Sequence, residues 1–191
     1  MRLVERSEIL PIGEYELIRP HFRARIIEEK RHRRVKLGEV MSAVFENHDS
    51  ALLQIQEMLR TERITSESNI QHEIDTYNEL VPGERELSLT LFVEIPDANV
   101  RNAMLIELRG LEKHVSIEVD GVVFPLKSDH KGVMDDRTTA VHYFKTQLSE
   151  EAASAVRAKA AKIAVRVDHP RYVARADLGP ASIAKLADDL S

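Results

Sequence analysis

FENHDSALLQIQEMLRTERITSESNIQHEIDTYNELVP, residues 45–82, combines regular apolar spacing, helix-capping residues and polar groups more densely than any other part of the chain. Its apolar residues recur three or four positions apart, at Leu52, Ile55 and Leu59 and again at Ile70, Ile74, Tyr77 and Val81. Thr65 or Ser66 can cap the second of these runs. The periodicity predicts two amphipathic helices, a central helix pair near residues 49–82.

Polar residues of this pair are expected to lie close together. Leu53, Glu57 and Arg60 share one side of the first helix, apart from its main apolar stripe. Such a face indicates contact with another element, although an exposed leucine beside a surface ion pair would give the same pattern. Glu73 lies at the edge of the buried arc of the second helix, where a carboxylate needs a partner. Arg60 is the candidate partner, so we expect Glu57, Arg60 and Glu73 to converge.

The region before the helix pair, residues 13–38, is rich in basic side chains. One helical face carries Tyr15, Ile18, Phe22 and Ile26. We expect Pro20 in the first turn of a second helix rather than at a kink in one long helix, and a helix end at Gly38. The eight basic residues are Arg19, Arg23, Arg25, Lys30, Arg31, Arg33, Arg34 and Lys36. They could form a solvated face paired with acidic helices, bind a phosphate-bearing or acidic partner, or read nucleic acid.

The rest of the chain mixes strand and helix patterns. Strand-like alternation occupies 41–46, 86–95, 139–148 and 163–167, and Asp120-Gly121 between apolar runs is typical of a hairpin. These patterns predict an α+β fold, with a mainly antiparallel five- or six-stranded sheet and helices packed on it. We expect a single domain over residues 1–191, with an N-terminal helical part at about 13–82 and a sheet-rich part at about 86–191.

Composition excludes several functional classes. The 191 residues include no cysteine, so this chain supplies no disulfide, thiolate zinc site or iron–sulfur ligand. Aromatic residues make up 5 % of the chain and the net charge is −5, which argues against nucleic-acid and anionic-membrane binding. No stretch has the length of a membrane span, and the charged N-terminus does not resemble a secretory signal. We therefore expect a cytoplasmic protein that does not bind membranes.

The histidines and carboxylates around the helix pair could form a metal site without cysteine. His48-Asp49 and His72-Glu73 flank the helix pair, and imidazole with carboxylate suits iron, manganese or zinc. Adjacent helix positions point about 100° apart, so each pair supplies one ligand at a time. His48, His72 and Glu73 are therefore weak metal candidates, and surface or capping roles are favoured.

Two further histidines lie in or beside predicted strands. His142 follows Val141 in a strand, a setting more typical of a packed core histidine than of a ligand or base. Asp168-His169-Pro170 ends a strand, and proline holds the preceding residue extended. We favour a turn role for His169, because no serine or cysteine partner for a catalytic dyad can be nominated.

The chain resembles a bacterial domain-of-unknown-function family over nearly its whole length. The resemblance is carried by IRPHFRARIIEEKRHRRVKLG (18–38), FENHDSALLQIQEMLRTERI (45–64), QHEIDTYNELVPGERELSLTLFVEI (71–95) and VDHPRY (167–172). It implies no established activity, but members are often encoded beside a rubrerythrin-like protein and an iron–sulfur oxidoreductase, which implies a redox or peroxide-stress setting. The motif positions that the resemblance marks as a candidate polar site are Arg19, Arg23, Glu46, Gln54, Glu57, Arg60, Glu73, Tyr77 and Asn78.

These observations lead to two main functional hypotheses. The first is a non-catalytic accessory or binding protein in a bacterial redox or peroxide-stress system, with a rubrerythrin-like or iron–sulfur protein as partner. The second is a metal- or cofactor-binding enzyme whose pocket lies between the helix pair and the sheet. The pocket of this second hypothesis is lined by Glu46, Glu57, Arg60, Glu73 and Tyr77. A third hypothesis, nucleic-acid binding through residues 19–36, has the least support because the chain is acidic overall.

Overall fold

A computed structural model of the chain describes residues 1–128 and 134–190. The described residues form six α-helices: α1 (Ile12–Arg31), α2 (His48–Thr61), α3 (Glu67–Asn78), α4 (Ala98–Glu107), α5 (Glu150–Arg157) and α6 (Pro180–Asp189). They also form nine strands: β1 (Arg34–Leu37), β2 (Met41–Phe45), β3 (Glu86–Val93), β4 (Val115–Val119), β5 (Val122–Pro125), β6 (Lys127–Ser128), β7 (Val141–Gln147), β8 (Ile163–His169) and β9 (Tyr172–Asp177). None of these helices is long and apolar enough to cross a membrane.

The strands build two antiparallel sheets. One sheet has the order β1-β2-β3-β7-β6 and the other has the order β5-β4-β8-β9. The predicted α+β class and antiparallel pairing are confirmed, but the strands expected in one sheet divide between two. Strand β9 has no counterpart in the prediction, because its inward positions are partly small residues such as Ala174 and Ala176, which give little apolar alternation.

The main hydrophobic core lies between the two sheets. Leu89 and Leu91 of β3 pack in the same core as Ile117 of β4 and Val165 of β8. Alternation along β3 directs these leucines inward and leaves Ser88 and Thr90 on the opposite face of the five-stranded sheet. This outer face is the surface that meets the helix pair.

The predicted helix pair is confirmed, and α2 and α3 share a second, smaller core with the N-terminal segment. That core contains Val4, Ile9, Ala51, Ile55, Leu59, Ile70, Ile74 and Val81. Helix α2 begins after Asn47, whose side chain accepts a hydrogen bond from the Ser50 amide while the Ser50 hydroxyl accepts one from the Asn47 amide, both at 2.9 Å. Ser66 occupies the predicted position immediately before α3, but its side chain forms no capping hydrogen bond.

The prediction of two helices around Pro20 is wrong, because α1 is continuous through this residue. A proline inside a helix leaves the carbonyl four residues earlier, here that of Glu16, without its amide donor. Pro20 is exposed. Water can therefore satisfy that carbonyl, which reduces the penalty.

The predicted helix end at Gly38 is also wrong, since α1 ends at Arg31 and β1 follows. Val35 and Leu37 are buried while the residues that alternate with them are exposed, which is the period of a strand. Backbone pairing with β2 provides the hydrogen bonds of this segment. Gly38 instead begins the β1–β2 turn with φ +67°, a conformation that side chains other than glycine rarely adopt.

We expect Gly38→Ala to destabilise the fold by about 2 kcal/mol or more, from left-handed strain and loss of one hydrogen bond. The added Cβ would collide with the Tyr172 hydroxyl, which donates a hydrogen bond to the Leu37 carbonyl at 2.5 Å. Urea unfolding measures the effect. The control is Gly121→Ala, because Gly121 also has positive φ but a Cβ added there would meet no atom within 4 Å. Equal losses for both variants would contradict the role of Tyr172.

Candidate functional site

A pocket of about 350 Å³ lies between the C-terminal end of α3 and the outer face of the five-stranded sheet. Its lining residues come from α3 and the turn after it, from β3, and from the β6–β7 pair: Thr76, Tyr77, Glu79, Leu80, Ser88, Lys127, Tyr143, Phe144 and Lys145. Most of the surface that they present to the pocket is apolar. The pocket therefore lies between α3 and the sheet, and no residue of α2 lines it.

Strand register explains why polar groups reach this pocket. Ser88 of β3 lies directly opposite Lys145 of β7, and Lys145 in turn lies opposite Lys127 of β6. Thr90 is likewise opposite Tyr143. Residues at directly opposed positions project from the same face of a sheet, so these side chains share the face that α3 covers.

The charged groups at the pocket are partly neutralised. The Lys145 ammonium donates to the Val81 carbonyl at 2.8 Å and lies 3.0 Å from the Glu86 carboxylate. Burial raises the pKa of Tyr77, and the nearby Tyr143 and Glu73 raise it further. The Tyr77 hydroxyl therefore stays protonated at neutral pH and can donate a hydrogen bond.

Glu46 is a buried carboxylate that reaches the outer face of this sheet. The residue is 3 % exposed, and it accepts hydrogen bonds from the Ser50 hydroxyl at 2.5 Å and the Thr90 hydroxyl at 2.6 Å. Its backbone amide donates to the Ser88 carbonyl at 2.9 Å. Glu46 thus joins β2, α2 and β3, and it is not among the residues that line the pocket.

A second polar cluster lies at the contact between α1 and α2. Glu57 accepts a hydrogen bond from the Tyr15 hydroxyl at 2.6 Å and a bidentate pair from Arg19 at 2.8 and 3.0 Å. The Arg19 guanidinium, the Tyr15 hydroxyl and the more distant charge of Arg23 lower the pKa of Glu57 to about 2. Leu53 is buried beside this contact. The predicted second face of α2 therefore contacts α1.

The predicted pairing of Arg60 with Glu73 is wrong. The Arg60 guanidinium donates to the Glu16 carboxylate at 2.5 Å, so Arg60 pairs with α1 and not with α3. Glu73 is half-buried on α3 and acts electrostatically on Tyr77 instead. Glu57, Arg60 and Glu73 therefore do not converge.

Asn78 and Gln54, two further predicted site positions, do not line the pocket. The Asn78 side chain accepts from the Val4 amide at 2.8 Å and donates to the Val4 carbonyl at 3.0 Å, which holds the N-terminal segment against α3. Gln54 is half-buried and forms no hydrogen bond with another described residue. Gln56, which the sequence patterns do not single out, makes the equivalent pair of bonds with the Leu10 backbone. The signal that could have found Gln56 is its place on the buried side of an amphipathic helix.

The two histidines that flank the helix pair are not brought together, and His48 alone has ion-pair partners among the described residues. His48 lies 3.1 Å from Glu8 through Nε2 and 3.2 Å from Asp49 through Nδ1, and His72 is exposed. Among residues 1–128 and 134–190, no three histidine or carboxylate side chains are grouped so that they could hold a metal ion.

His142 and His169 take the roles that their sequence settings favour. His142 is buried, with Nε2 2.9 Å from the Thr138 hydroxyl and its ring stacked on Phe144. His169 Nδ1 accepts from the Arg171 amide at 3.2 Å, so Nε2 carries the proton that it donates to the Arg109 carbonyl at 3.1 Å. His142 is thus a packed core residue and His169 closes a turn.

Carboxylates neutralise much of the basic region. Five of its eight residues have ion-pair partners: Arg19 with Glu57, Arg25 with Asp49, Arg31 with Glu28, Arg33 with Glu29 and Asp189, and Arg34 with Glu94. The Arg33–Asp189 pair is buried and joins the residue before β1 to the end of α6. This arrangement favours the interpretation of a paired, solvated surface over a phosphate-binding one.

The fold and pocket define a two-sheet α+β protein with no recognised catalytic constellation among the described residues. Residues 3–190 match the model of the family described as protein of unknown function (DUF3501), and the chain belongs to this family. It is similar to a novel protein of unknown function from Burkholderia pseudomallei K96243, known from a crystal structure at 1.90 Å resolution. That similarity covers 100 % of both chains with 31 % identity and a TM-score of 0.92. None of the curated proteins matches.

We expect Glu57→Gln to lower the free energy of unfolding at pH 7 by about 1–2 kcal/mol, because the charged hydrogen bonds from Arg19 and Tyr15 are weakened. A carboxylate whose folded pKa is depressed adds stability above its unfolded pKa, and loses it as pH falls through the folded value. For the pKa of Glu57 this range runs from the ordinary value of 4.5 down to about 2. Urea unfolding at pH 7 and near pH 2 should show the variant and the parent converging in acid.

The control for this prediction is Glu62→Gln, because Glu62 is exposed at the end of the same helix and forms no ion pair with a described residue. It should change stability by less than about 0.5 kcal/mol at either pH. A Glu57→Gln deficit of the same size at both pH values would contradict the ion-pair interpretation.

Proposed function

We propose that this protein is a non-catalytic binding protein and that the pocket at the end of α3 holds its ligand. The observation that carries the proposal is the pocket itself, whose volume of about 350 Å³ lies within the range of small-molecule sites. Largely apolar walls with a few convergent polar groups are typical of such sites. The hydroxyl of Tyr77 and the ammonium of Lys145 are two such groups.

The state of the acidic and phenolic groups supports binding rather than catalysis. A general base works best when its pKa is near the operating pH. The pKa of Glu57 is about 2 and its oxygens are engaged by Arg19 and Tyr15, while the pKa of Tyr77 is raised. These groups are suited to holding partners in place and poorly suited to proton transfer at neutral pH.

The enzyme hypothesis has weaker support. It requires Glu46, Glu57, Arg60, Glu73 and Tyr77 in one pocket, and of these only Tyr77 lines the pocket. Glu46 is tied to two hydroxyls, and Arg60 is tied to Glu16. The polar groups that such chemistry would need are therefore distributed over separate contacts.

The test of the binding proposal is occlusion of the pocket. We expect the protein to bind the neutral fluorophore N-phenyl-1-naphthylamine, and we expect Thr76→Trp to weaken that binding about tenfold or more because an indole would fill the pocket. Fluorescence titration measures both. Ser68→Trp, at an exposed position of the same helix away from the pocket lining, is the matched control and should bind like the parent. The proposal would be contradicted if the parent bound neither this dye nor an anionic analogue of it, or if Thr76→Trp bound as the parent does.

A second candidate function is the accessory role in a redox or peroxide-stress system, and an exposed stripe on α1 favours it. The stripe comprises Leu17, Pro20, Ala24 and Ile27, which recur at intervals of three and four and are all exposed. Leu17 is 81 % exposed and Ile27 is 46 % exposed. An apolar stripe with this spacing suits a partner helix. The family resemblance points to a rubrerythrin-like or iron–sulfur protein as that partner, which would also supply the cysteines that this chain lacks.

We expect Leu17→Glu combined with Ile27→Glu to weaken binding to a purified rubrerythrin-like or iron–sulfur oxidoreductase partner about tenfold or more, because buried charge opposes helix docking. Calorimetric titration measures the affinity. Val173→Glu is the control, since Val173 is 74 % exposed but lies on β9. Absence of binding to either partner by the parent protein, or equal loss in the control, would contradict this candidate.

A further inference from the structure

Two lysines of the pocket lie directly opposite each other. Lys127 of β6 lies directly opposite Lys145 of β7, so both lysine side chains project from the same face of the sheet. Directly opposed residues of an antiparallel pair have Cβ atoms roughly 4.5–5.5 Å apart, and like charges in that position are destabilising. The strand pairing therefore concentrates positive charge on the strand side of the pocket.

Internal neutralisation of this charge is incomplete. Lys145 has the Glu86 carboxylate at 3.0 Å and the Val81 carbonyl at 2.8 Å. Lys127 is exposed and forms no hydrogen bond or ion pair with another described residue. One ammonium group at the pocket thus lacks an anionic counterpart within the described part of the chain.

The opposite wall has a different character. The end of α3 contributes Tyr77 and the turn after it contributes Leu80, and the C-terminus of a helix carries partial negative charge. Glu79, the carboxylate among the lining residues, is also on this side. A ligand anion is therefore repelled from the α3 side and attracted to the strand side. Leu80 on the α3 side and Tyr143 on the strand side add apolar surface to the lining.

We propose that the ligand of this pocket is an amphipathic organic anion, such as a carboxylate or sulfonate with an apolar body. Its anionic group binds beside Lys127 and Lys145, and its apolar body packs against Leu80, Tyr77 and Tyr143. The anion relieves the repulsion between the two ammonium groups, and the apolar body gains from leaving water. This inference rests on the proposed binding function and adds the chemical class of the ligand.

The experiment compares two fluorophores with nearly the same apolar body. One is the anion 8-anilino-1-naphthalenesulfonate, and the other is neutral N-phenyl-1-naphthylamine. We expect the parent protein to bind the anion more tightly, and added NaCl at about 0.5 M to weaken binding of the anion but not of the neutral dye, because salt screens exposed charges. Lys127→Met, which keeps an apolar stem, should weaken binding of the anion about tenfold while leaving that of the neutral dye within about twofold.

Two further variants complete the test. Lys36→Met is the matched control, since Lys36 is also an exposed lysine on a strand of the same sheet but does not line the pocket. Thr76→Trp should prevent the anion from binding, because the indole would fill the pocket. This result would locate the anion in the pocket. Lys127→Met should unfold at the same temperature as the parent or higher, since it removes a like-charge pair.

The outcomes separate this inference from the function on which it rests. If the parent binds both dyes equally, or if Lys127→Met binds both as the parent does, the anionic class is overturned while the binding pocket stands. If Thr76→Trp binds the anion unchanged, the anion is held elsewhere and the inference is overturned. If the parent binds neither dye, the proposed function itself is overturned, and the ligand class with it.

Discussion

The carboxylate of Glu46 is the contact on which the arrangement of helices and sheet depends. It is buried on the outer side of the five-stranded sheet and is satisfied by hydroxyls from α2 and β3. A buried carboxylate with missing partners is strongly unfavourable, so this geometry constrains where α2 can lie on the sheet. Helix α3 packs against α2 through the smaller core. The pocket is therefore the gap between the sheet and α3, which packs on the helix that Glu46 positions.

Many charged side chains of the described residues form ion pairs with one another. Arg19, Arg25 and Arg33 each have a carboxylate within ion-pair distance, and the Arg33–Asp189 pair is buried between the start of β1 and α6. In the buried Arg33–Asp189 pair the free energy gained is offset by desolvation, so this contact orients β1 and α6 more than it stabilises them. Consequently the basic region presents less free positive charge than its composition indicates. Lys127 at the pocket forms no ion pair with another described residue, so its ammonium group is available to a ligand.

Several elements could be predicted from local patterns because their causes are local. The alternation of Leu87 to Val93 gives β3, and Asp120 with Gly121 gives the β4–β5 hairpin, where both residues have positive φ. The errors arise where non-local contacts outweigh local preference. Pro20 is tolerated inside α1, and pairing with β2 converts the expected end of that helix into β1.

The candidate site also shows the difference between what local patterns predict and what non-local contacts decide. The chain alone determined the α+β class, the helix pair and the polar residues of α2 and α3, because apolar spacing and capping act over a few residues. Tertiary structure decided which polar groups meet: Arg60 joins Glu16, Asn78 holds Val4, and Tyr77 alone of the predicted set lines the pocket. Lys127 and Lys145 come together only through strand register between β6 and β7. Register depends on which faces are buried across the whole sheet, so no local pattern encodes it.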